Sequence, residues 1–288
     1  MNKVAIAIPI HRPYFQFGIN LVYSSLGAEY DLHFIFTKND EKLDFEKLFP
    51  KPALQGFKSL TLTDHFSDIE IEKIAEKRSF PSVKKFFALS ILQPSYEFIY
   101  CLDAETIILS RTGWHEAATN IFNRKKWFGG ELHDGMVGER KIVKCSMTEL
   151  PQNLNLPDDY FEKNENLIYS WWWDLPVYKS DHIEDFLNWI NWNDKDILLE
   201  RISWFTFDHI VYQLFTSVYF DFDFVKINGH YHSLEFSRSN TVEQMDSSFS
   251  KLHWVNGLAY AENPSYYQNN GFLAVFNIDR IEHPLFKL

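Results

Sequence analysis

Cysteine is almost absent from this 288-residue chain, with Cys101 and Cys145 the only two. Two thiols make no disulfide framework, and Cys101 falls inside an apolar run, which suits a reducing compartment. Glycine is sparse as well, at 11 residues. No glycine-rich loop of the Walker or dinucleotide type, which cradles phosphate, can be found. The metalloprotease helix is missing too, because His115-Glu116 is not followed by its second histidine. No apolar run approaches the roughly 18 residues that a membrane span needs. The N-terminal stretch before His11-Arg12 is too short in apolar residues for a secretion signal. A soluble, cytoplasmic protein is expected, with at most peripheral contact at the inner membrane face. There is no excess of positive charge: the formal net charge is −11, which argues against a nucleic-acid partner. A nucleotide ligand stays compatible with that charge, since a bound metal can neutralise its phosphates.

What the chain has in abundance is aromatic rings, 17% of residues, with 9 Trp, 14 Tyr and 27 Phe. Many belong in a core, and flat rings also suit the apolar faces of sugars. The length fits one large domain with a full core. Apolar runs at Val4 to Ile10, Leu32 to Thr37, Ser59 to Thr63 and Phe98 to Leu102 read as strands. Helical spacing separates them: Tyr14 to Leu26, Asp40 to Phe49, and Ile69 to Leu92 with a break at Pro81 and a restart at Ser82. This alternation predicts an α/β fold, a mainly parallel sheet flanked by helices with right-handed crossovers. Ligands in such sheets bind beyond the carboxyl ends of the strands. Further on, Trp114 to Phe122 reads as a helix, Lys126 to Leu132 as a strand, and His133 to Glu165 as loop-rich. Asp181 to Trp192, capped by Ser180 or Asp181, and Ser203 to Phe215 read as helices, and Val218 to Ile227 as a strand.

The most informative stretch is Phe98-Ile-Tyr-Cys-Leu-Asp-Ala-Glu-Thr-Ile-Ile-Leu109. A buried strand that ends in two carboxylates calls for a partner, because an unpaired buried carboxylate is costly. Asp103 and Glu105 sit at i and i+2, so in extended chain they point the same way. Two hard oxygen donors on one side make a site for Mg2+ or Mn2+. The alternative is a solvated strand-to-loop junction. Pro9, His11 and Tyr14, after the first strand, are placed to touch a nucleotide base.

Lys85-Phe-Phe-Ala-Leu-Ser90 followed by Phe98 to Leu109 resembles the nucleotide-sugar half of glycosyltransferases with the GT-A fold. The likeness is to the glycogenin and bacterial lipopolysaccharide galactosyltransferase group, in which a Lys-bearing helix leads into a strand ending Asp-x-Asp. Asp208-His-Ile-Val-Tyr-Gln-Leu-Phe215 is similar to that group's Asp/Gln-rich helix start, and His253-Trp-Val-Asn-Gly257 resembles its C-terminal His-x-x-Gly. Two departures stand out: Glu105 replaces the second Asp of the DXD-like motif, and Trp173-Asp174-Leu175-Pro176 stands where the group has an Asn-x-Gly strand. The resemblance implies a single domain, with 1–110 as nucleotide-sugar half and 111–288 as acceptor half. It implies a metal-dependent transfer from a nucleotide diphosphate sugar to a glycan or lipid-linked glycan, with bacterial lipopolysaccharide or surface polysaccharide as setting.

The resemblance assigns Glu105 to the metal, Asp103 to metal, ribose hydroxyl or both, and His253 as third protein ligand, with His230 and His232 as rivals. Ala104 lies between the acids on the donor, and Lys85 stands against the donor sugar or phosphate, unless it shares a solvated helix face with Lys84. Asp208 either binds sugar or acceptor, acts as base, or is a helix-start acid favoured by the dipole. Asp174 is either a turn residue or an acceptor of sugar hydroxyls. Three consecutive tryptophans, Trp171 to Trp173, cannot all face one core, so at least one is expected to face a ligand or another surface. Two other classes compete. A sugar nucleotidyltransferase needs a glycine-rich basic loop after the first strand, where this chain has Pro9-Ile-His-Arg-Pro13. A non-catalytic carbohydrate or nucleotide binder on the same scaffold would release no nucleoside diphosphate.

Overall fold

A computed structural model describes residues 2–129, 137–150, 175–226, 254–276 and 278. The first half alternates strand and helix, with two helices before the fourth strand: β1 (Val4–Pro9), α1 (Phe15–Ser25), β2 (Tyr30–Phe36), α2 (Asn39–Glu46), β3 (Lys58–Thr61), α3 (Asp68–Glu76), α4 (Phe80–Leu92) and β4 (Phe98–Cys101). There follow β5 (Ile107–Ile108), α5 (Trp114–Arg124), β6 (Lys126–Gly129), α6 (Val137–Thr148), β7 (Val177–Lys179), α7 (Ser180–Trp189), α8 (Lys195–Arg201) and α9 (Asp208–Tyr219). The described chain closes with β8 (Asp223–Lys226), β9 (Trp254–Asn256), two short helices and β10 (Ala274–Phe276).

The main sheet has the order β3-β2-β1-β4-β7. Its first four strands are parallel, and β7 is antiparallel at the edge beside β4. Both β1 and β4 are interior, so their side chains face helices on either side and the sequence has no room for alternation. Helix α1 carries the chain from β1 to β2 on one side, while β4 lies on the other. The winding therefore reverses between β1 and β4, and a crevice opens at their carboxyl ends. Asp103 follows the second of these two ends, that of β4. A small sheet β5-β10-β9 and a parallel pair β6-β8 complete the strands. One hydrophobic cluster runs from Val4 through Trp127, Tyr178 and Phe215 to Phe276. Among the described residues no helix is long and apolar enough to cross a membrane.

Several boundaries differ from the sequence reading, each for a local reason. Pro81 does not break a helix. It sits in the first turn of α4, where its missing N–H costs nothing, and the break lies earlier, at Arg78 with φ 53°. Residues 203 to 207 are not helical because their side chains capture the backbone. Ser203 and Thr206 both donate to the Glu149 carboxylate at 2.6 Å, and the Ser203 N–H donates to Thr206 Oγ1 at 3.1 Å. Val218 and Tyr219 finish α9, and Asp221 at φ 58° precedes the short β8. Helix α6 lies inside the stretch expected to be loop. Helix α7 starts at Ser180 after Lys179, and neither Ser180 nor Asp181 caps it.

Helix α1 approaches the sheet closely at one point. A Cβ on Gly18 would stand 2.5 Å from Ile10 Cδ1 and 2.8 Å from the Phe45 ring. In an open helix interior Gly18→Ala would stabilise by about 1 kcal/mol. Here overpacking should reverse the sign, with a loss of about 1–3 kcal/mol in urea denaturation. A stabilised variant would show that α1 can lift off the end of β1 freely.

Candidate functional site

The crevice is organised by two consecutive lysines on α4. They are charged residues inside the apolar run Val83 to Leu92, and both are buried, so the solvated-face alternative for Lys84 and Lys85 does not hold. Neighbouring helix positions are about 100° apart, and the two side chains reach different strand ends. Lys84 Nζ donates to the Ile10 carbonyl, just past β1, at 2.7 Å. Lys85 Nζ lies 3.0 Å from Asp103 Oδ1, just past β4, and 3.3 Å from Asp208 Oδ1 at the first residue of α9. The Tyr178 hydroxyl on β7 donates to Asp208 Oδ2.

Burial orders these groups electrostatically. The Asp208 side chain is 2% exposed, the Lys85 side chain 9% and the Asp103 side chain 48%. Desolvation pulls the Lys85 pKa down, but Asp103 and Asp208 outweigh it, and the ammonium is held firmly protonated. Burial pushes Asp208 above the usual carboxylate range, which Lys85 and Tyr178 only partly offset. The phenol of Tyr178 and the thiol of Cys101 beneath are both pushed up by burial. His209 beside them is neutral, lowered to about 3 by burial and then by Lys85.

Three residues singled out in the sequence, Lys85, Asp103 and Asp208, thus meet. Asp103 and Glu105 are not joined by extended chain: β4 ends at Cys101 and the backbone bends at Ala104 and Glu105, so strand alternation does not set their direction. Ala104 is buried in the bend, and the Glu105 carbonyl accepts the Ile278 N–H at 3.5 Å. Pro9 ends β1, and the His11 ring packs on Tyr14 at 4.6 Å between centroids. Asp174, Trp171 to Trp173, His230, His232 and His253 lie outside the described residues.

Two partners were missed. A tyrosine buried in the apolar stretch Leu175 to Tyr178 needs a bond for its hydroxyl, a signal by which Tyr178 could have been found. For Lys84 the signal was a charge amid Val83, Phe86 and Phe87, which must find a partner when buried. Among the described residues no three His, Cys, Asp or Glu gather to hold a metal. Asp103 and Glu105 carry hard oxygen donors of the type that Mg2+ takes, and one oxygen of Asp103 is already paired with Lys85.

No family model and no curated protein matches the chain. Among solved structures it is similar to the ligand-free bifunctional glycosyltransferase WbbM, at 14% identity over 75% of this chain and TM-score 0.43. It is also similar to the mannosyltransferase Ktr4p from S. cerevisiae, at 12% over 74% of this chain and 65% of that one, TM-score 0.34. Mouse xyloside xylosyltransferase 1 is similar at 8% over 95% of this chain and 96% of that one, TM-score 0.38. The matched part spans 38% of the length of WbbM. At these identities and scores the likenesses carry no argument, and the α/β fold stands on strand order and register.

The pairing around Lys85 gives a stability expectation. Lys85→Met leaves Asp208 buried without its cation and should cost about 3–5 kcal/mol in urea denaturation. Asp103→Asn removes the half-exposed partner and should cost less than about 1 kcal/mol. Equal losses for the two variants would mean that Asp208 does not depend on this ammonium.

Proposed function

We propose that the chain is a metal-dependent glycosyltransferase. It moves a sugar from a nucleotide diphosphate sugar to a glycan or lipid-linked glycan acceptor, in the making of a bacterial surface polysaccharide or lipopolysaccharide. The observation that carries this reading is the meeting of Lys85, Asp103 and Asp208 at the carboxyl end of β4, beside the loop after β1. That is where an open α/β sheet binds nucleotides. Residues 1–110 are the donor half on this reading and 111–288 the acceptor half.

Asp103 and Glu105, with His253 as the third ligand that the resemblance supplies, would hold Mn2+ or Mg2+. The metal supplies Lewis-acid stabilisation of the departing diphosphate. Lys85 presents a second, fixed positive charge there. Its two carboxylates already hold it in place, so little reorganisation is needed as charge builds. Asp208 is buried with one oxygen on Lys85 and the other on Tyr178. Its part is to hold and charge Lys85, rather than to reach an acceptor hydroxyl as base. Pro9, His11 and Tyr14 face the base, and Asp174 with Trp171 to Trp173 serves the acceptor sugar.

Release of nucleoside diphosphate from uridine and guanosine diphosphate sugars, in Mn2+ and in chelator, tests the reading. Turnover should need the metal, and Glu105→Ala should lower it by about 100-fold or more. Asp208→Asn should lower turnover far more than donor affinity. Equal affinity for the diphosphate in Mn2+ and in chelator would sink the metal assignment. Binding with no release would leave a carbohydrate- or nucleotide-binding protein.

A further inference from the structure

The two buried lysines of α4 are not equivalent. Lys85 is paired with two carboxylates, whereas the bond that holds Lys84 goes to a neutral carbonyl, Ile10 O, at 2.7 Å. Lys84 is 3% exposed, and an ammonium has three protons to donate. Among the described residues no carboxylate forms an ion pair with it. The charged groups that act around it are Glu41 on α2 and His11 on the loop after β1. Glu41 is engaged elsewhere, accepting the Thr37 N–H at 2.9 Å. The nearby Arg12 is held by Asp40 and Asp44. A buried cation without a paired anion is costly, and this one is bonded at Ile10, the first residue past the carboxyl end of β1.

We propose that Lys84 is a positioning residue for an anionic donor: it pins the loop after β1 at Ile10 and leaves a buried positive charge that the nucleoside diphosphate completes. This rests on the nucleotide-sugar reading of the site. Two consequences separate it from a purely structural tether. First, the charge costs stability in the free protein, so replacing Lys84 should not destabilise the fold, in contrast to Lys85. Second, burial has lowered the Lys84 pKa to about 8, with Glu41 opposing. An arriving diphosphate favours the protonated form, so binding takes up protons near pH 8 and weakens as pH rises above it.

The experiment is calorimetry of uridine and guanosine diphosphate, each with Mn2+, in two buffers of different ionisation enthalpy at pH 8. Urea denaturation of Lys84→Met and Lys84→Gln accompanies it. Wild type should take up roughly half a proton per nucleotide, and both variants should take up none. The variants should bind about tenfold or more weakly at pH 7, with unchanged or raised urea midpoints. Lowered midpoints with unaltered nucleotide affinity would make Lys84 a structural tether and overturn the proposal. So would proton uptake that persists in the variants, or wild-type binding without uptake. Failure of wild type to bind either nucleotide would overturn the proposed function along with it, a pattern distinct from binding without proton coupling.

Discussion

The ion pair of Lys85 with Asp208 is the constraint on which the other contacts of the crevice depend. Three separate elements meet in it: α4, the chain leaving β4, and the start of α9, with β7 attached through Tyr178. A carboxylate as buried as Asp208 would be prohibitive alone, and so would the ammonium of Lys85. Each is tolerable only because the other is there, so α9 cannot sit elsewhere without exposing both deficits. Burial of this kind adds little net stability but fixes one arrangement against its alternatives.

The antiparallel edge strand makes this meeting possible. Strand β7 pairs with β4 from Phe98↔Lys179 to Tyr100↔Val177, which brings the second half of the chain alongside the strand that leads into Asp103. Tyr178 then lies across from Ile99 and close against Tyr212 of α9, at 4.6 Å between rings. The Tyr212 hydroxyl accepts the Lys179 N–H at 3.1 Å. Sheet and helix are thus bonded at two adjacent residues, and the Asp208 carboxylate is presented from a rigid support. A site built from strand ends and a helix start keeps its geometry better than one built from loops.

How far the sequence was legible follows from the range of the forces involved. Strands β1, β2 and β4 announce themselves because interior strands are apolar on both faces. The interruption at Asp103 is visible for the same reason. The fold class follows from alternation alone. The start of α9 was misread because Ser203 and Thr206 divert the backbone through Glu149, more than 50 positions away in the chain, and no local pattern records such a partner. Lys85 and Asp208 were both marked, but their contact joins two elements more than 100 positions apart in the chain, so only the structure joins them. The bend at Ala104 was hidden because two acids at i and i+2 look the same in sequence whether the chain between them is extended or bent.

Adjacent lysines on one buried helix also show why electrostatic roles resist reading from sequence. Lys84 and Lys85 have the same side chain, nearly the same burial and neighbouring backbone. A single residue step of about 100° around the helix gives Lys85 two carboxylates and Lys84 a carbonyl. The result is opposite shifts: Lys85 is raised by its two carboxylates, whereas Lys84 is lowered by burial to about 8. The sign of the shift is decided by whether an anion is built into the fold, and desolvation, common to both, decides it only where none is. Lys85 ties α4 to the chain leaving β4 and to the start of α9, whereas Lys84 ties the same helix to the end of β1 through a neutral carbonyl.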